Sequence, residues 1–594
     1  STLGVIIGSV IVSLLGFIIF VGIAATMDSS SSFKLQKNTV LRLNLKDASI
    51  SDRESSSPFD FILNPSGKSL MLSDILSAIR KAEKNDNIKG IYLNAEVPAH
   101  YATMEPIRNA LLKFKESGKF IIAYGDDFSQ SAYYLSSVAD SIFMNPLGIL
   151  DFGGLSRTTQ FNKGVYEKWG VEYQVYKVGT YKSAVEPFIE EKMSDANRAQ
   201  VTSYLNDTWE TVLKGISESR GIPVEQLNLY ADEHLFFTDP EKIVEYQLLD
   251  GLKYANEVDS CLKNLLALKD SEKLRFANVG DMASVKETGK KSNKDKIAVL
   301  YAEGEIRSGE SAGFMPGGNI SAKEYVKELY RLKDDKNVKA VVFRVNSPGG
   351  SMDEAEQIWN AVKELKAVKP VVVSMGTYAA SGGYYISCNA DKIIAEPTTI
   401  TGSIGVFSLI PNGAQLAKKM GATFDAVSTN KLSDFATNAP YIPFIGVGLP
   451  VLSRPLTDVE SAKMQVYTEK AYDLFLTRCA DGRGKTKAEI DSIGQGRVWT
   501  GRQALELGLV DALGGMDLAV STAAGLAELE NYSVSEYPAK KDFFMSLLEG
   551  SSESISARIW SSIIGRESYQ QKQMLNAWQN YDVRQAIMPE FINQ

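Results

Sequence analysis

Asn87-Ile88-Lys89-Gly90-Ile91-Tyr92-Leu93 and Asn337-Val338-Lys339-Ala340-Val341-Val342-Phe343 are the same phrase written twice, 250 positions apart. The echo continues on both sides. Pro98 corresponds to Pro348, and after a one-residue slip Glu105 to Ala110 corresponds to Glu356 to Ala361 and Tyr133-Tyr134 to Tyr384-Tyr385. Further on, Leu248-Leu249-Asp250-Gly251-Leu252 parallels Leu509-Val510-Asp511-Ala512-Leu513, the longer offset reflecting an insertion near Pro440 to Pro450. From Lys37 onward strand-like and helix-like runs alternate, which is the signature of an α/β fold. The chain is therefore read as two fused copies of one α/β domain, joined by the Lys-rich run Lys286 to Lys296. A repeat of this length is not a solenoid unit, so each half is expected to hold its own core.

A length of 594 residues agrees with several domains. The formal charge is −8, with 64 basic against 72 acidic residues and no long basic patch, which argues against nucleic acid as a partner. Cys261, Cys388 and Cys479 are scattered without a CxxC spacing, so neither a disulfide framework nor a zinc site is suggested. Histidine is the informative scarcity. Only His100 and His234 occur, and any histidine-dependent triad or metal site would have to use one of them. His234 lies in the acidic stretch Ala231 to Leu235 and reads as a surface residue. No metal or cofactor is expected.

At the front, Gly4 to Met27 are uncharged and mostly apolar, and as a helix they would reach about 36 Å, enough to cross a bilayer. The expectation is a single transmembrane anchor. A cleavable signal peptide is the alternative, but the run exceeds the usual apolar core of one. At the other end, Phe543 to Leu548 and Ile555 to Ile564 form apolar clusters consistent with amphipathic helices.

The chemistry is sought at Thr377-Tyr378-Ala379-Ala380-Ser381-Gly382-Gly383-Tyr384-Tyr385-Ile386-Ser387. The apolar run Pro370 to Val373 before it reads as a strand, and Gly382 to Asn389 as the start of a helix. Ser381 then sits at a strand-to-helix turn, where unpaired N–H groups and the helix dipole favour an anion forming nearby. A plain helix cap is the competing reading of this serine. The two copies help to decide. Opposite Ser381-Gly382-Gly383 the first half has Gln130-Ser131-Ala132, and opposite Pro348-Gly349-Gly350 it has Pro98-Ala99-His100. The first copy has lost the hydroxyl and the glycines, and His100, in the place of a glycine, is a poor candidate for a base. Conversely Lys182, in Gly179-Thr180-Tyr181-Lys182-Ser183-Ala184, falls opposite Ser433. One half keeps a serine and the other a lysine. A lysine amine serves as a base only when burial or nearby positive charge brings its pKa toward neutral, at a cost of roughly 4 kcal/mol. A dry seam between two packed halves could provide that.

Five runs then carry a resemblance: YKSAVEPF at Tyr181 to Phe188, SPGGS at Ser347 to Ser351, AASGGYYIS at Ala379 to Ser387, TGSIGVF at Thr401 to Phe407, and RVWTGRQALELGLVD at Arg497 to Asp511. Together they resemble the long, duplicated form of the bacterial signal peptide peptidase A family, also called protease IV. The resemblance implies a ClpP/crotonase-like fold in each half and a membrane-anchored serine endopeptidase working through an acyl-enzyme. It implies Ser381 as nucleophile, Lys182 as general base, the N–H groups of Gly382 and Gly349 as oxyanion hole, and Ser403 as the residue holding the lysine amine, with Gly350 and Gly383 in support. It further implies a homo-oligomer, often a tetramer, and remnant signal peptides and other unfolded apolar segments as substrates. The implied setting is the bacterial inner membrane, single-pass, with the catalytic part on the periplasmic side and lipid contacted through the anchor.

The expected organisation is an anchor over residues 1–33, a first ClpP/crotonase-like repeat over 34–285 carrying the lysine, a linker over 286–296, a second repeat over 297–535 carrying the serine, and a helical extension over 536–594. Two rival readings remain open at this point. A crotonase-type acyl-CoA enzyme would keep the fold and change the chemistry, and a membrane scaffold would leave the serine and lysine incidental.

Overall fold

A computed structural model describes residues 33–46, 48–52, 68–95, 99–286, 293–308, 319–435 and 452–538, together with the backbone of 584–587. The expected anchor and the 440–450 insertion lie outside the described residues, Phe33 excepted. Among the described residues no helix is long and apolar enough to cross a membrane.

The phrase quoted first is a strand in both halves. Ile88–Asn94 lies inside a six-stranded sheet between Thr39–Asn44 and Phe120–Gly125, followed outward by Ser141–Met144 and Gly251–Leu252, with Arg275–Asn278 on the opposite edge. Val338–Ser347 occupies the matching place between Lys296–Glu303 and Val371–Ala380 in an eight-stranded sheet. Both sheets are parallel around these strands, and both carry the same register slip, between Thr39 and Val40 in one and Lys296 and Ile297 in the other.

The second copy reads as a continuous apolar run because both of its faces are covered. Val341, Phe343 and Val345 enter the main core of the second half, while Ala340 and Val342 pack on the opposite side with Ala519, Ala523 and Ala524 of the helix Met516–Leu526. The helix Leu72–Lys84 buries Leu72, Ile75, Ala78, Ile79 and Ala82, the stripe a 3.6-residue period demands, and Ala322–Asp334 repeats it with Ala322, Leu329 and Leu332.

The duplicated tyrosines are explained by the hydroxyls they anchor. Tyr133 and Tyr384 each donate to a buried carbonyl, that of Leu248 at 2.8 Å and of Leu509 at 2.9 Å. Tyr134 and Tyr385 donate to the carboxylates of Glu105 and Glu356. Asp140 and Asp391 likewise each accept from an N–H at the start of a strand, that of Ile121, the second residue of its strand, and that of Val371, the first of its own. A buried polar group left unpaired is costly, so these pairs persist in both copies.

The halves are not merely strung together. The first-half strand Glu172–Val178 leaves its own domain and pairs antiparallel with Val406–Asn412 of the second, with Val178 opposite Val406. The long helix Asp195–Arg220 bridges as well: Val212, Leu213 and Ile216 lie in the first-half core, while Tyr204 packs with Ala380, Ile400 and Val498 of the second half. A buried ion pair joins Arg344 of the central second-half strand to Asp52, with contacts of 2.9 and 3.0 Å.

At the C-terminal end, the strand Ser533–Tyr537 pairs with Lys296–Glu303 and so runs across the expected boundary at 535/536. The helical expectation for the extension is corrected at Arg584–Ile587, which is a strand inserted between Gly349–Ser351 and Val406–Asn412. Inter-strand pairing overrides whatever local preference these four residues have. The apolar clusters at 543–548 and 555–564 lie outside the described residues.

Candidate active site

The strand Val371–Ala380 and the helix Gly382–Ser387 meet at Ser381, as the apolar run and the two glycines imply. Ser381 takes φ 56° and ψ −116°, which a residue with a side chain adopts only under constraint. Two backbone bonds hold it there: its N–H donates to the Gly402 carbonyl at 2.8 Å, and its carbonyl accepts from Tyr385 N–H at 2.9 Å. Its hydroxyl makes no capping bond to the helix. In the first half the cap is a different residue, Ser129, whose Oγ accepts from Ala132 N–H at 3.3 Å. The reading of Ser381 as a simple cap therefore falls.

Lys182 follows the migrant strand Glu172–Val178 and arrives at Ser381 from the other half of the same chain. Its Nζ stands 2.8 Å from Ser381 Oγ, 3.0 Å from Ser403 Oγ and 3.0 Å from the Ser403 carbonyl. All three residues are completely buried. Burial pushes the Lys182 amine down from 10.5 to about 7, with no carboxylate opposing it. Ser403 is also held at positive φ, 50°, and its Oγ lies 3.4 Å from the Gly496 carbonyl. A neutral amine has two N–H groups and one lone pair. With the N–H groups donated to Ser403 Oγ and the Ser403 carbonyl, the lone pair is left facing the Ser381 hydroxyl.

The glycines pack around this pair. Gly349 and Gly350 have φ of 110° and 150°, and a Cβ on Gly350 would sit 1.9 Å from the Ile306 carbonyl oxygen. A Cβ on Gly382 would lie 3.1 Å from Gly350 N, and one on Gly383 would meet the Ser347 carbonyl oxygen at 2.5 Å. Only hydrogen fits at Gly350 and Gly383, and the contact at Gly382 is tight. The Gly349 N–H donates to Ser347 Oγ at 3.2 Å.

In the first copy the same space is filled. Gln130, opposite Ser381, accepts from Gly153 and Gly154 N–H at 3.1 and 2.9 Å, and Ser131, opposite Gly382, accepts from Ala99 N–H at 3.2 Å. His100 places its ring edge-on to Tyr378, centroids 5.4 Å apart, and His234 lies exposed beside Phe237.

Several supporting residues escaped the sequence reading. A Cβ on Gly496 would come within 2.6 Å of Lys182 Cβ, and one on Gly405 within 3.2 Å of Lys182 Cδ, so both glycines form the walls of the lysine stem. Gln200, on the bridging helix, donates to the Tyr181 carbonyl at 3.0 Å and to Ser183 Oγ at 2.9 Å while accepting from Val498 N–H at 3.2 Å. It ties the lysine turn to the second half. Gly405 stands inside TGSIGVF, but its role depends on a neighbour more than two hundred residues away.

Comparison with known proteins identifies the family. Peptidase family S49 matches residues 113–269 and 363–530, one region in each half, and the Clp protease family matches residues 291–399. Protease 4 of Salmonella typhi is 36% identical over 495 residues, covering 81% of this chain and 76% of the relative. Protease 4 of Haemophilus influenzae is 36% identical over 76% of this chain and 72% of its own length. The chloroplastic serine protease SPPA of Arabidopsis thaliana is 30% identical over 84% of this chain and 70% of its own. Among solved structures, a ClpP1 mutant of Listeria monocytogenes aligns at 13% identity and a TM-score of 0.23, covering 38% of this chain and 95% of that one. With a ClpP-like α/β architecture and a peptidase region in each half, this serine peptidase belongs to peptidase family S49, in the duplicated form of the protease 4 type.

Proposed function

We propose that the peptidase works through a Ser381/Lys182 dyad that cuts unfolded apolar peptides, cleaved signal peptides among them, by way of an acyl-enzyme. The observation that carries the proposal is the 2.8 Å approach of a fully buried lysine amine, brought to about 7, to the Ser381 hydroxyl. In the first step the Lys182 lone pair takes the Ser381 proton as Oγ bonds to the peptide carbonyl carbon. Charge gathers on the carbonyl oxygen, which the N–H groups of Gly382 and Gly349 receive; an oxyanion is a stronger acceptor than the Ser347 hydroxyl and displaces it from Gly349. The C–N bond then breaks, the protonated lysine returns its proton to the leaving amine, and water releases the acyl group through the same base. Ser403 holds the amine in the orientation each transfer requires, and Gly350 and Gly383 let the two backbones close around the reacting carbonyl.

In this reading the chain is anchored by residues 1–33, with its catalytic part on the periplasmic side of a bacterial inner membrane, and works as a homo-oligomer, a tetramer by resemblance. Residues 34–285 and 297–535 act as the two repeats. An anchored enzyme meets signal-peptide remnants where they are left, which is the support for that substrate class.

Ser381→Ala and Lys182→Ala should each abolish hydrolysis of an unstructured apolar peptide while leaving the circular dichroism spectrum unchanged. A fluorophosphonate should label Ser381 in the native chain. Near-normal turnover by Lys182→Ala would remove the lysine from its role, and thioesterase or hydratase activity surviving Ser381→Ala would favour the acyl-CoA reading.

A further inference from the structure

We infer that Tyr472, Asp491 and Gln495 form a positioning relay that sets, from outside the dyad, where the Lys182 amine stands. The inference rests on the dyad reading above for what the amine does, and on hydrogen bonds and the internal repeat for what holds it. Three consecutive second-half residues, Gln495, Gly496 and Arg497, hold the amine from both sides. The Gln495 carbonyl accepts from Tyr181 N–H at 2.8 Å, fixing the residue before the lysine, and a Cβ on Gly179 would lie 2.5 Å from the same oxygen. The Arg497 carbonyl accepts from Ser403 N–H at 2.7 Å, and the Gly496 carbonyl from Ser403 Oγ at 3.4 Å. A shift of this tripeptide therefore moves the base and the serine that holds it together.

Gln495 stands at φ 55°, a conformation that disfavours any residue with a side chain. The relay restrains it there. The Gln495 N–H donates to the Tyr472 hydroxyl at 3.1 Å, that hydroxyl donates to Asp491 Oδ1 at 2.5 Å, and the Gln495 amide donates to the same Oδ1. Burial, with the bond to Asp491, pushes the Tyr472 hydroxyl well up, so it keeps the proton it donates.

The first copy separates this relay from the scaffold. Trp209 and Tyr472 are each the fifteenth residue of a 26-residue helix closed by a left-handed glycine, and Asn228 and Asp491 each the fifth of the short helix that follows. Both pairs are bridged, Trp209 Nε1 donating to Asn228 Oδ1 at 3.0 Å. Two residues past the short helix both copies also take positive φ, 56° at His234 and 55° at Gln495. Yet the His234 N–H donates to the Ala231 carbonyl at 3.0 Å, and its ring lies beside Phe237. Bridge and turn are thus common to both copies, and their connection belongs to the copy whose turn meets the lysine. An indole N–H only donates, whereas a tyrosine hydroxyl donates and accepts, which is what lets the second bridge reach the turn.

The test measures peptide hydrolysis per folded chain, the folded fraction taken from circular dichroism. Tyr472→Phe and Gln495→Ala should each lower kcat by about 10- to 100-fold, with KM within about twofold and the acid limb of the rate profile unmoved, because the amine is displaced rather than hydrated. Combining the two should cost little more than the worse one alone, as for parts of one relay. Asn228→Ala cuts the corresponding bridge in the first half and should leave kcat within about twofold, whatever it does to the melting temperature. Natural kcat in Tyr472→Phe and Gln495→Ala, beside an inactive Lys182→Ala, would overturn the relay alone. A loss in Asn228→Ala equal to theirs would reduce the effect to general stability and overturn it too. Near-normal turnover by Lys182→Ala would remove the dyad, and the relay with it.

Discussion

Replacing Lys182 by methionine should make the protein inactive and, near neutral pH, more stable. In the unfolded chain the amine titrates near its ordinary value of 10.5, and in the folded chain at about 7. Below the folded value both states hold the proton, and the lysine imposes its full penalty, about 5 kcal/mol for that difference. Between the two values only the unfolded state holds it, so stability rises with pH, and above the unfolded value the penalty is gone. For these two pKa values the penalty falls by about 3 kcal/mol between about pH 6.5 and about pH 9.5. Methionine keeps the stem and discards the amine. It leaves the Ser381 and Ser403 hydroxyls short of a partner, at a cost of about 1–3 kcal/mol that does not vary with pH. The net gain near pH 6.5 is thus about 2–4 kcal/mol. The robust quantity is its slope: the stability advantage of Lys182→Met over the natural chain should shrink by about 3 kcal/mol from pH 6.5 to pH 9.5. Urea unfolding of both proteins across that range measures it. Parallel stability curves would mean that the lysine is charged and satisfied in the folded state, and the proposed base would lose its physical ground.

The same amine predicts a rate profile: kcat/KM should rise with pH through about 7, where Lys182 loses its proton, and Ser403→Ala, which removes one acceptor of that amine, should lower kcat by about 10- to 100-fold while leaving KM near its natural value. Gly496→Ala should cost at least about 100-fold in kcat, because its Cβ would fall 2.6 Å from Lys182 Cβ at a backbone φ of 78°; a peptide-hydrolysis assay beside a thermal melt separates misplacement from unfolding. Glu396 is buried with neither carboxylate oxygen bonded among the described residues, and burial, with Glu105 nearby, pushes its carboxyl up to about 8. Its contribution to stability should fall as pH rises from about 4.5 to about 8, the window in which only the unfolded state is ionised, and Glu396→Gln should flatten that part of the urea-stability profile. Gln200→Ala should lower kcat with little effect on KM, since it loosens the lysine turn from Val498 without touching substrate.

How far the sequence could be read depended on whether a feature was local or shared. Ser381 and Lys182 were legible because the two copies disagree there: the first half fills the position of Ser381 with Gln130, whose amide is consumed by Gly153 and Gly154, so its loss of chemistry is written in one residue. The central strands were legible because a strand covered on both faces has no polar alternation to confuse it. The walls of the lysine stem were not. Nothing around Gly496 says that a backbone from the other half passes within contact distance, since a glycine's necessity there is a property of its neighbour. The C-terminal strand was hidden for a similar reason: four residues are too few to carry a period, and their conformation follows from two edges that only the folded chain presents.

The migrant strand Glu172–Val178 connects the two levels. Had it stayed with its own half, Lys182 would be an ordinary solvated lysine, charged at neutral pH and useless as a base. Pairing with Val406–Asn412 instead carries it to a place walled by Ser403, Gly405 and Gly496, and burial there lowers the pKa of the amine so that it is largely unprotonated near neutral pH, as the proposed base requires. Position and reactivity thus have one cause. It follows that a change which hydrates the seam, even without moving Nζ from Ser381, should raise the lysine pKa and shift the acid limb of the rate profile upward, whereas a change that only displaces Nζ should lower the rate at every pH alike.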